Sequence, residues 1–278
     1  MTPLVFALVL SAALIHAVWN ALVKGASART ITFALVMAGH TIPALIAAPF
    51  LPLPDAQTGV YLMASVLIHW AYYYLLVSAY RFGDLSLVYP IARGATPLLV
   101  ALSAFFFINE SLSLQGWTGL VLVSAGILAL AVFSSQQEKP FMAVAYALAT
   151  AMTIATYSVV DGVGIRLSSD PISYIVWLFI LEGVVFFFIV IPRKERLMQF
   201  SRNQIILGLI GGVLAGLAYG LVLYAKTMAP LGMVSALRET SVIFASMIGL
   251  FWFGEGPARP RLSAAVIVTL GIVLLSTA

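Results

Sequence analysis

The sequence predicts an all-α integral membrane protein, with ten transmembrane helices forming two inverted five-helix repeats around a central cavity. Composition, apolar segments and an internal repeat support this fold class. Of the 278 residues, 62% are hydrophobic and only 9% are charged. Soluble domains have about 45–50% apolar and about 25% charged residues. So few charges cannot form the surface of a soluble domain. We therefore expect the chain to be embedded in a lipid bilayer.

The chain contains ten apolar segments of the length that a membrane-spanning helix needs, about 20 residues. Charged and turn residues separate them and predict spans at 3–24, 31–51, 57–80, 86–108, 112–133, 141–165, 171–192, 203–227, 231–253 and 262–278. The connections are short, so we expect no inserted soluble domain. The first segment lacks the basic start of a signal peptide and is counted as a span.

The two halves of the chain resemble each other in order and spacing. Arg93 precedes Glu110 by 17 residues, and Arg238 precedes Glu255 by the same 17 residues. The stretches "FFINE" and "FWFGE" contain the two glutamates, and the polar stretch "SSQQEKP" lies almost at the midpoint. The shared register predicts an internal duplication.

The predicted repeats cover residues 1–134 and 141–278 and contain five helices each. Because five is odd, the second repeat enters the membrane from the opposite side. Inverted repeats are characteristic of secondary transporters, whose binding sites lie near the bilayer midplane between the repeats.

Basic residues lie mainly on one side of the predicted topology. Loops after the odd-numbered spans contain Lys24, Arg29, Arg81, Lys139, Arg193, Lys194, Arg196, Arg202, Arg259 and Arg261, whereas the opposite side holds only Arg166 and Lys226. Cytoplasmic loops are enriched in Lys and Arg. The asymmetry of ten against two predicts both termini on the non-cytoplasmic side.

Several function classes are disfavoured. The absence of cysteine excludes disulfides, thiolate metal sites and cysteine nucleophiles. The net charge of +4 is scattered, which argues against a nucleic-acid partner. No H-x-x-x-H or G-x-S-x-G pattern supports an intramembrane enzyme. We therefore expect no catalytic residue, no metal and no cofactor.

The stretches "HAVWNALVK" and "FFINESLSLQGWTGLVLVSAGI", within ten short-looped helices, resemble the EamA domains of the drug/metabolite transporter superfamily. The bacterial exporters of aromatic amino acids are the most similar in character. The resemblance implies a cavity lined by spans one, three, four, six, eight and nine, in a bacterial-type plasma (inner) membrane. Family members move amino acids, nucleotide sugars, sugar phosphates or cationic drugs.

Arg93 and Arg238 are the first candidate site residues, because they lie within predicted spans. A charge at the bilayer centre costs about 2.5–3.5 kcal/mol on insertion scales. An arginine facing a cavity could bind a substrate carboxylate with its planar fork of donors. The alternative is a structural ion pair with Glu239, Glu182 or Asp161.

Pro90 and Pro97 flank Arg93 in the stretch "VYPIARGATPLLV". Proline removes a backbone hydrogen bond, so we expect the helix to kink or unwind here and to expose carbonyl groups to a hydrated interior. A kink that serves packing alone is the alternative. The second repeat has Ser235 and Val242 at these positions, so the distortion would be asymmetric.

Polar and aromatic side chains in mid-span complete the candidate cavity. They are His16, Trp19 and Asn20 in the first span, His69, Tyr72 and Tyr73 in the third, Tyr89 in the fourth, Tyr157 in the sixth, Tyr219 in the eighth and Glu239 in the ninth. Packing and hydrogen bonding between helices is the alternative role. Glu182 and Asp161 are candidate proton-coupling residues, as are the histidines, with a structural role as the alternative.

Gly208, Gly212, Gly216 and Gly220 form a ladder on the eighth span. Such a smooth face allows another helix to approach closely. The alternative is a face that slides or bends during transport.

The leading hypothesis is a secondary transporter that exports amino acids or related small polar metabolites by alternating access. Export of cationic drugs or nucleotide-sugar-type metabolites is the alternative, with an intramembrane enzyme behind both. A homodimer is compatible with the sequence, but a monomer suffices for one pathway.

Overall fold

The computed structural model describes residues 1–24, 28–134, 141–254 and 258–278. In these ranges the chain is helical and contains no β-strand. Ten helical segments within them are long and apolar enough to cross a membrane, which confirms the predicted fold class. Glu255, whose register matches that of Glu110, lies outside the described residues.

The helices follow one another with short connections. They are α1 (Pro3–Val23), α2 (Arg29–Ala47), α3 (Ala56–Phe82), α4 (Leu85–Ile108), α5 (Leu114–Ser134), α6 (Phe141–Leu167), α7 (Pro171–Glu182), α8 (Val184–Val190), α9 (Lys194–Met198), α10 (Arg202–Ala225), α11 (Leu231–Arg238), α12 (Thr240–Phe251) and α13 (Ala258–Ser276). The seventh span, Pro171–Met198, contains α7, α8 and α9, and α11 and α12 form the ninth.

Polar side chains cap the N-termini of several of these helices. The Asp55 carboxylate accepts the backbone N–H of Thr58 at 2.7 Å at the start of α3. This hydrogen bond lowers the pKa of the exposed Asp55 carboxyl. Ser201 and Gln204 form a reciprocal capping box at the start of α10. Such caps satisfy backbone N–H groups that have no partner inside the helix.

The interruptions of the spans are not where the prolines predict them. The fourth span remains one α-helix through Pro90 and Pro97, so the unwinding expected there is wrong. It packs against α5 and α6, which support the helix around the missing hydrogen bonds. The seventh span is interrupted after Glu182, and the ninth is interrupted at Glu239. Both interruptions therefore lie beside buried carboxylates.

The contacts between helices follow a twofold pattern. If every span number is shifted by five, each main contact between two spans becomes another main contact. The third span packs on the sixth, and correspondingly the eighth packs on the first. Contacts also join the fifth span to the tenth and the fourth to the ninth, two pairs that map onto themselves. This is the packing expected of inverted repeats. The division into repeats at residues 1–134 and 141–278 stays a prediction.

The glycine ladder of α10 provides a close contact with α2. Gly208 lies against Leu35, Gly212 against the backbone at Gly39, and Gly216 against His40. The absence of side chains on this face lets the two backbones meet, as the packing interpretation of the ladder predicts.

We expect Gly212→Ala to lower the free energy of unfolding by about 1–3 kcal/mol, because over-packing forces the backbones apart. An added Cβ at Gly212 would lie 2.6 Å from the Cα of Gly39. Gly220→Ala is the matched control, since its Cβ would meet only Ile175 at an ordinary 3.4 Å. Denaturant titration in detergent micelles measures both variants. Equal stability of the two would contradict the close α2–α10 contact.

Candidate functional site

Four charged side chains of the spans are buried between the helices rather than facing the acyl chains. Arg93, Asp161, Glu182 and Glu239 are exposed by 6%, 0%, 4% and 1%. They come from α4, α6, α7 and the interruption of the ninth span. Because isolated buried charges are costly, the partners of each group define what it can do.

Arg93 and Glu239 form an ion pair between the fourth and ninth spans. The Arg93 Nε and Glu239 Oε2 atoms are 2.8 Å apart. The Nη2 of Arg93 also donates to the Ser241 hydroxyl at 3.4 Å, and its guanidinium lies 5.9 Å from the centre of the Tyr89 ring. Glu239 immediately precedes α12, where a negative charge is favoured by the helix dipole. Arg93 thus adopts the ion-pair alternative, with Glu239 as its partner.

Arg238 has a different environment from Arg93. It is half-buried, and its guanidinium lies 5.4 Å from the centre of the Tyr219 ring and close to the Tyr157 hydroxyl. Within the described part of the chain, no carboxylate forms an ion pair with Arg238. Arg238 does act electrostatically on Glu239, but without forming an ion pair with it.

The first span contributes His16, which faces both Arg93 and Arg238. Trp19 donates its indole N–H to the Nδ1 of His16 at 3.3 Å, and the Asn20 amide donates to the His16 carbonyl at 2.8 Å. These bonds fix His16 with Nδ1 as an acceptor. Trp19 therefore orients the His16 ring, and Asn20 bonds to the His16 backbone. Contact of either residue with substrate stays a prediction.

Asp161 accepts hydrogen bonds from two tyrosine hydroxyls and lies near Lys226. Tyr174 donates to Oδ1 at 2.9 Å, and Tyr219 donates to Oδ2. Lys226 interacts electrostatically with Asp161, and its Nζ donates to the Ser158 carbonyl at 3.0 Å.

Glu182 lies between two histidines. His69 Nδ1 is 3.2 Å from Oε1, and His40 Nε2 is 4.0 Å from Oε2. His69 Nδ1 is also 2.9 Å from the Ser65 carbonyl and 3.2 Å from the Ser65 hydroxyl. The His69 ring stacks on Tyr157 at 3.9 Å. Neither Glu182 Oε1 nor His40 Nε2 has a well-aligned hydrogen bond.

Aromatic side chains join these groups across the interior. The Tyr72 and Tyr157 rings are 5.9 Å apart, and the Tyr157 and Tyr219 rings are 6.2 Å apart. Tyr73 lies beside His69, with 6.3 Å between ring centres. Tyr72, Tyr73, Tyr89 and Tyr219 keep some accessible surface at these inward positions. Tyr73 lines an open groove with Trp70, Val185 and Phe188, and the central cavity stays a prediction.

Arg166 and Glu110 fasten one end of the molecule, where α4, α6 and α10 end. Their side chains are 2.6 Å apart. Arg166 also donates to the carbonyls of Lys226 and Ala229 at 2.7 and 2.8 Å, and Glu110 accepts the backbone N–H of Leu231 at 2.7 Å. This junction ties the α4–α5 connection to α6, α10 and α11. Its bonds must break before these elements can separate.

The structure thus brings together Arg93, Arg238, His16, His69, Tyr72, Tyr73, Tyr89, Tyr157, Tyr219, Glu239, Asp161 and Glu182. Sequence reasoning missed Tyr174 and Lys226, which resemble an interfacial tyrosine and a loop cation. It also missed the Arg166–Glu110 junction. Across the described ranges, no three His, Asp or Glu side chains form a group suited to a metal ion.

Comparison with known proteins gives three results. Residues 141–277, about half of the chain, match the EamA-like transporter family. A chloroplastic WAT1-related protein of Arabidopsis thaliana is 26% identical over 190 residues, which cover 65% of this chain but only 46% of that longer protein. A solved crystal structure has a TM-score of 0.80 at 16% identity and covers 98% of each chain, which shows the shared fold.

Replacing Glu239 by Gln should destabilise the fold by about 3–5 kcal/mol, because Arg93 is left as an uncompensated buried charge. The double variant Arg93→Met, Glu239→Leu removes both charges and should recover most of this loss. Denaturant titration of the purified variants in micelles tests the comparison. If Glu239→Gln unfolds at the wild-type midpoint, the pair does not hold Arg93 in place.

Proposed function

Because the chain belongs to the EamA-like transporter family, we propose that it exports amino acids across a bacterial-type inner membrane by alternating access. Family membership makes it a secondary transporter of small metabolites and not an enzyme. The substrate class, the membrane and the direction of transport are our inference. They depend on what the interior of the molecule can bind.

The unpaired guanidinium of Arg238 is the observation that supports an amino-acid substrate. The charge of Arg93 is matched by Glu239 at 2.8 Å, whereas Arg238 lacks an ion pair within the described residues. A substrate carboxylate would supply the missing anion, and guanidinium binds carboxylates with two parallel hydrogen bonds. In this proposal Arg93 organises the site and Arg238 contacts the substrate.

The tyrosines around Arg238 would frame the substrate side chain. Tyr157 and Tyr219 lie beside the guanidinium, and Tyr72 contacts Tyr157. Aromatic rings offer apolar surface together with a polar hydroxyl, which suits a ligand with an apolar side chain and a charged backbone. His16 completes this frame from the first span.

Alternating access requires one end of the pathway to close while the other opens. The Arg166–Glu110 junction lies at the end that basic-loop asymmetry predicts to be non-cytoplasmic. We infer that the described conformation is closed on this side. Release of an exported substrate would then require Arg166 to leave Glu110 and the carbonyls of Lys226 and Ala229.

Cationic drugs are the second candidate class of substrate. The buried Glu182 has only histidines as potential cationic partners and could attract a cation. Nucleotide sugars fit less well, because the described interior contains Lys226 but no cluster of lysines in mid-span.

Replacing Arg238 by Ala should weaken amino-acid binding about 10- to 100-fold, since hydrogen bonds to charged groups contribute about 1.5–3 kcal/mol. Binding of a matched amine without the carboxylate should be unaffected. Arg202→Ala, at the exposed start of α10, is the control. Counterflow of labelled amino acids in proteoliposomes measures affinity by competition. Equal loss of both ligands, or of neither, would refute carboxylate binding by Arg238.

Both termini should lie outside the cytoplasm if the basic loops face inward. A reporter enzyme that is active only in the periplasm should therefore be active when fused after Ala278. A reporter that is active only in the cytoplasm should be silent there. The opposite pattern would reverse the direction assigned to the closed end.

A further inference from the structure

We propose that Glu182 binds and releases the proton that drives transport, and that His69 and His40 exchange this proton with it. The inference rests on the proposed transport function and adds the identity of the coupling site. It is carried by the geometry around a single buried carboxylate at the interruption of the seventh span.

Glu182 is buried without a permanent cationic partner. The titratable groups that face it are His40 from α2, His69 and Tyr73 from α3, Asp161 from α6, Tyr174 from its own helix and Tyr219 from α10. The following helix, α8, has the sequence VVFFFIV and contributes none. Asp161 repels a negative charge at this position, and neither Lys nor Arg forms an ion pair with Glu182 within the described chain.

The polar atoms around Glu182 lie close enough for a proton to pass between them. Oε1 of Glu182 and Nε2 of His40 are buried and lack an aligned hydrogen bond. The His40 nitrogen lies 4.0 Å from Oε2, slightly beyond hydrogen-bond distance. A proton on either group would give the other a partner after a small movement. A buried carboxylate in such a setting must take up a proton or share one with an imidazole.

Asp161 is the natural comparison, since it is equally buried. Both of its oxygens accept tyrosine hydroxyls, and Lys226 lies close by. These donors occupy both carboxylate oxygens of Asp161. Of the two candidate carboxylates, Glu182 is therefore the one whose protonation can change during transport.

A short chain of contacts connects Glu182 to the proposed substrate site. His69 is 3.2 Å from Glu182, and its ring stacks at 3.9 Å on Tyr157, which lies beside Arg238. A change of charge at Glu182 and His69 thus alters the field at the carboxylate-binding guanidinium. Reciprocally, a bound carboxylate changes the affinity of this pair for the proton, as linkage requires.

The position of Glu182 also allows its charge to act on the shape of the seventh span. Gly183 separates α7 from α8, and the Thr41 hydroxyl of α2 donates to the Phe179 carbonyl at 3.0 Å. An added Cβ at Gly183 would lie 2.9 Å from the Cβ of Thr41. Movement of α7 against α2 at Thr41 would therefore also displace His40, the preceding residue of α2.

Infrared difference spectroscopy of the purified protein tests proton binding without any substrate. As the pH is lowered, the wild type should gain the carbonyl band of a protonated carboxylic acid. Glu182→Gln should lose this band, whereas Asp161→Asn should keep it. Glu182→Asp, which retains a carboxyl group, should shift the pH at which the band appears. A band that persists in Glu182→Gln, or titrates unchanged in Glu182→Asp, overturns the proposal.

Transport assays separate this proposal from the amino-acid proposal. A pH gradient should accelerate amino-acid flux in wild-type proteoliposomes and in Glu195→Gln, which alters an exposed carboxylate of α9, and this response should be lost in Glu182→Gln. A response that remains in Glu182→Gln, or disappears only in Glu195→Gln, refutes Glu182 as the coupling site. If the wild type shows no amino-acid counterflow at all, the substrate assignment fails, and the infrared result alone decides the proton site.

Discussion

The buried ion pair between Arg93 and Glu239 is the interaction on which the rest of the structure depends. A guanidinium in the bilayer interior must have an anionic partner or water. Glu239 supplies the partner at 2.8 Å and joins the fourth span of one half to the ninth span of the other. Because Glu239 is committed to Arg93, the neighbouring Arg238 is left without an ion pair within the described chain.

Irregular backbone and buried carboxylates coincide in this structure. The seventh span is interrupted next to Glu182, and the ninth is interrupted at Glu239. In a membrane, such interruptions are tolerated where the backbone is buried in protein or lines water. Both lie on the interior side of their spans, where Arg93 and His69 meet the carboxylates. Gly183 and Glu239 keep helical backbone angles, so each span is only locally distorted beside its carboxylate.

Composition and residue spacing were sufficient to predict the ten helices and the residues that meet between them. Exclusion of charge from lipid leaves few places for mid-span groups, so Arg93, Glu239 and Asp161 converge in the interior. The choice among three partners for Arg93 could not be predicted, because it depends on how the fourth and ninth spans pack. Pro90 and Pro97 misled the prediction, since neighbouring helices hold α4 continuous. The Arg166–Glu110 junction could not be predicted either. Arg166 binds backbone carbonyl groups, and side-chain identity does not show which carbonyl groups are within reach.

The central claim is that the interior around Arg238 is open to water and to substrate, and thiol labelling tests it most directly. The chain contains no cysteine, so single cysteines can be introduced into the natural sequence. Tyr72 faces Tyr157 in the interior, whereas Tyr74, at nearly the same depth of α3, is 70% exposed on the outer surface. A charged, membrane-impermeant thiol reagent should label Tyr72→Cys, and amino acids should protect it, while Tyr74→Cys stays unlabelled within the acyl chains. Labelling of Tyr74→Cys with an inert Tyr72→Cys would contradict the account.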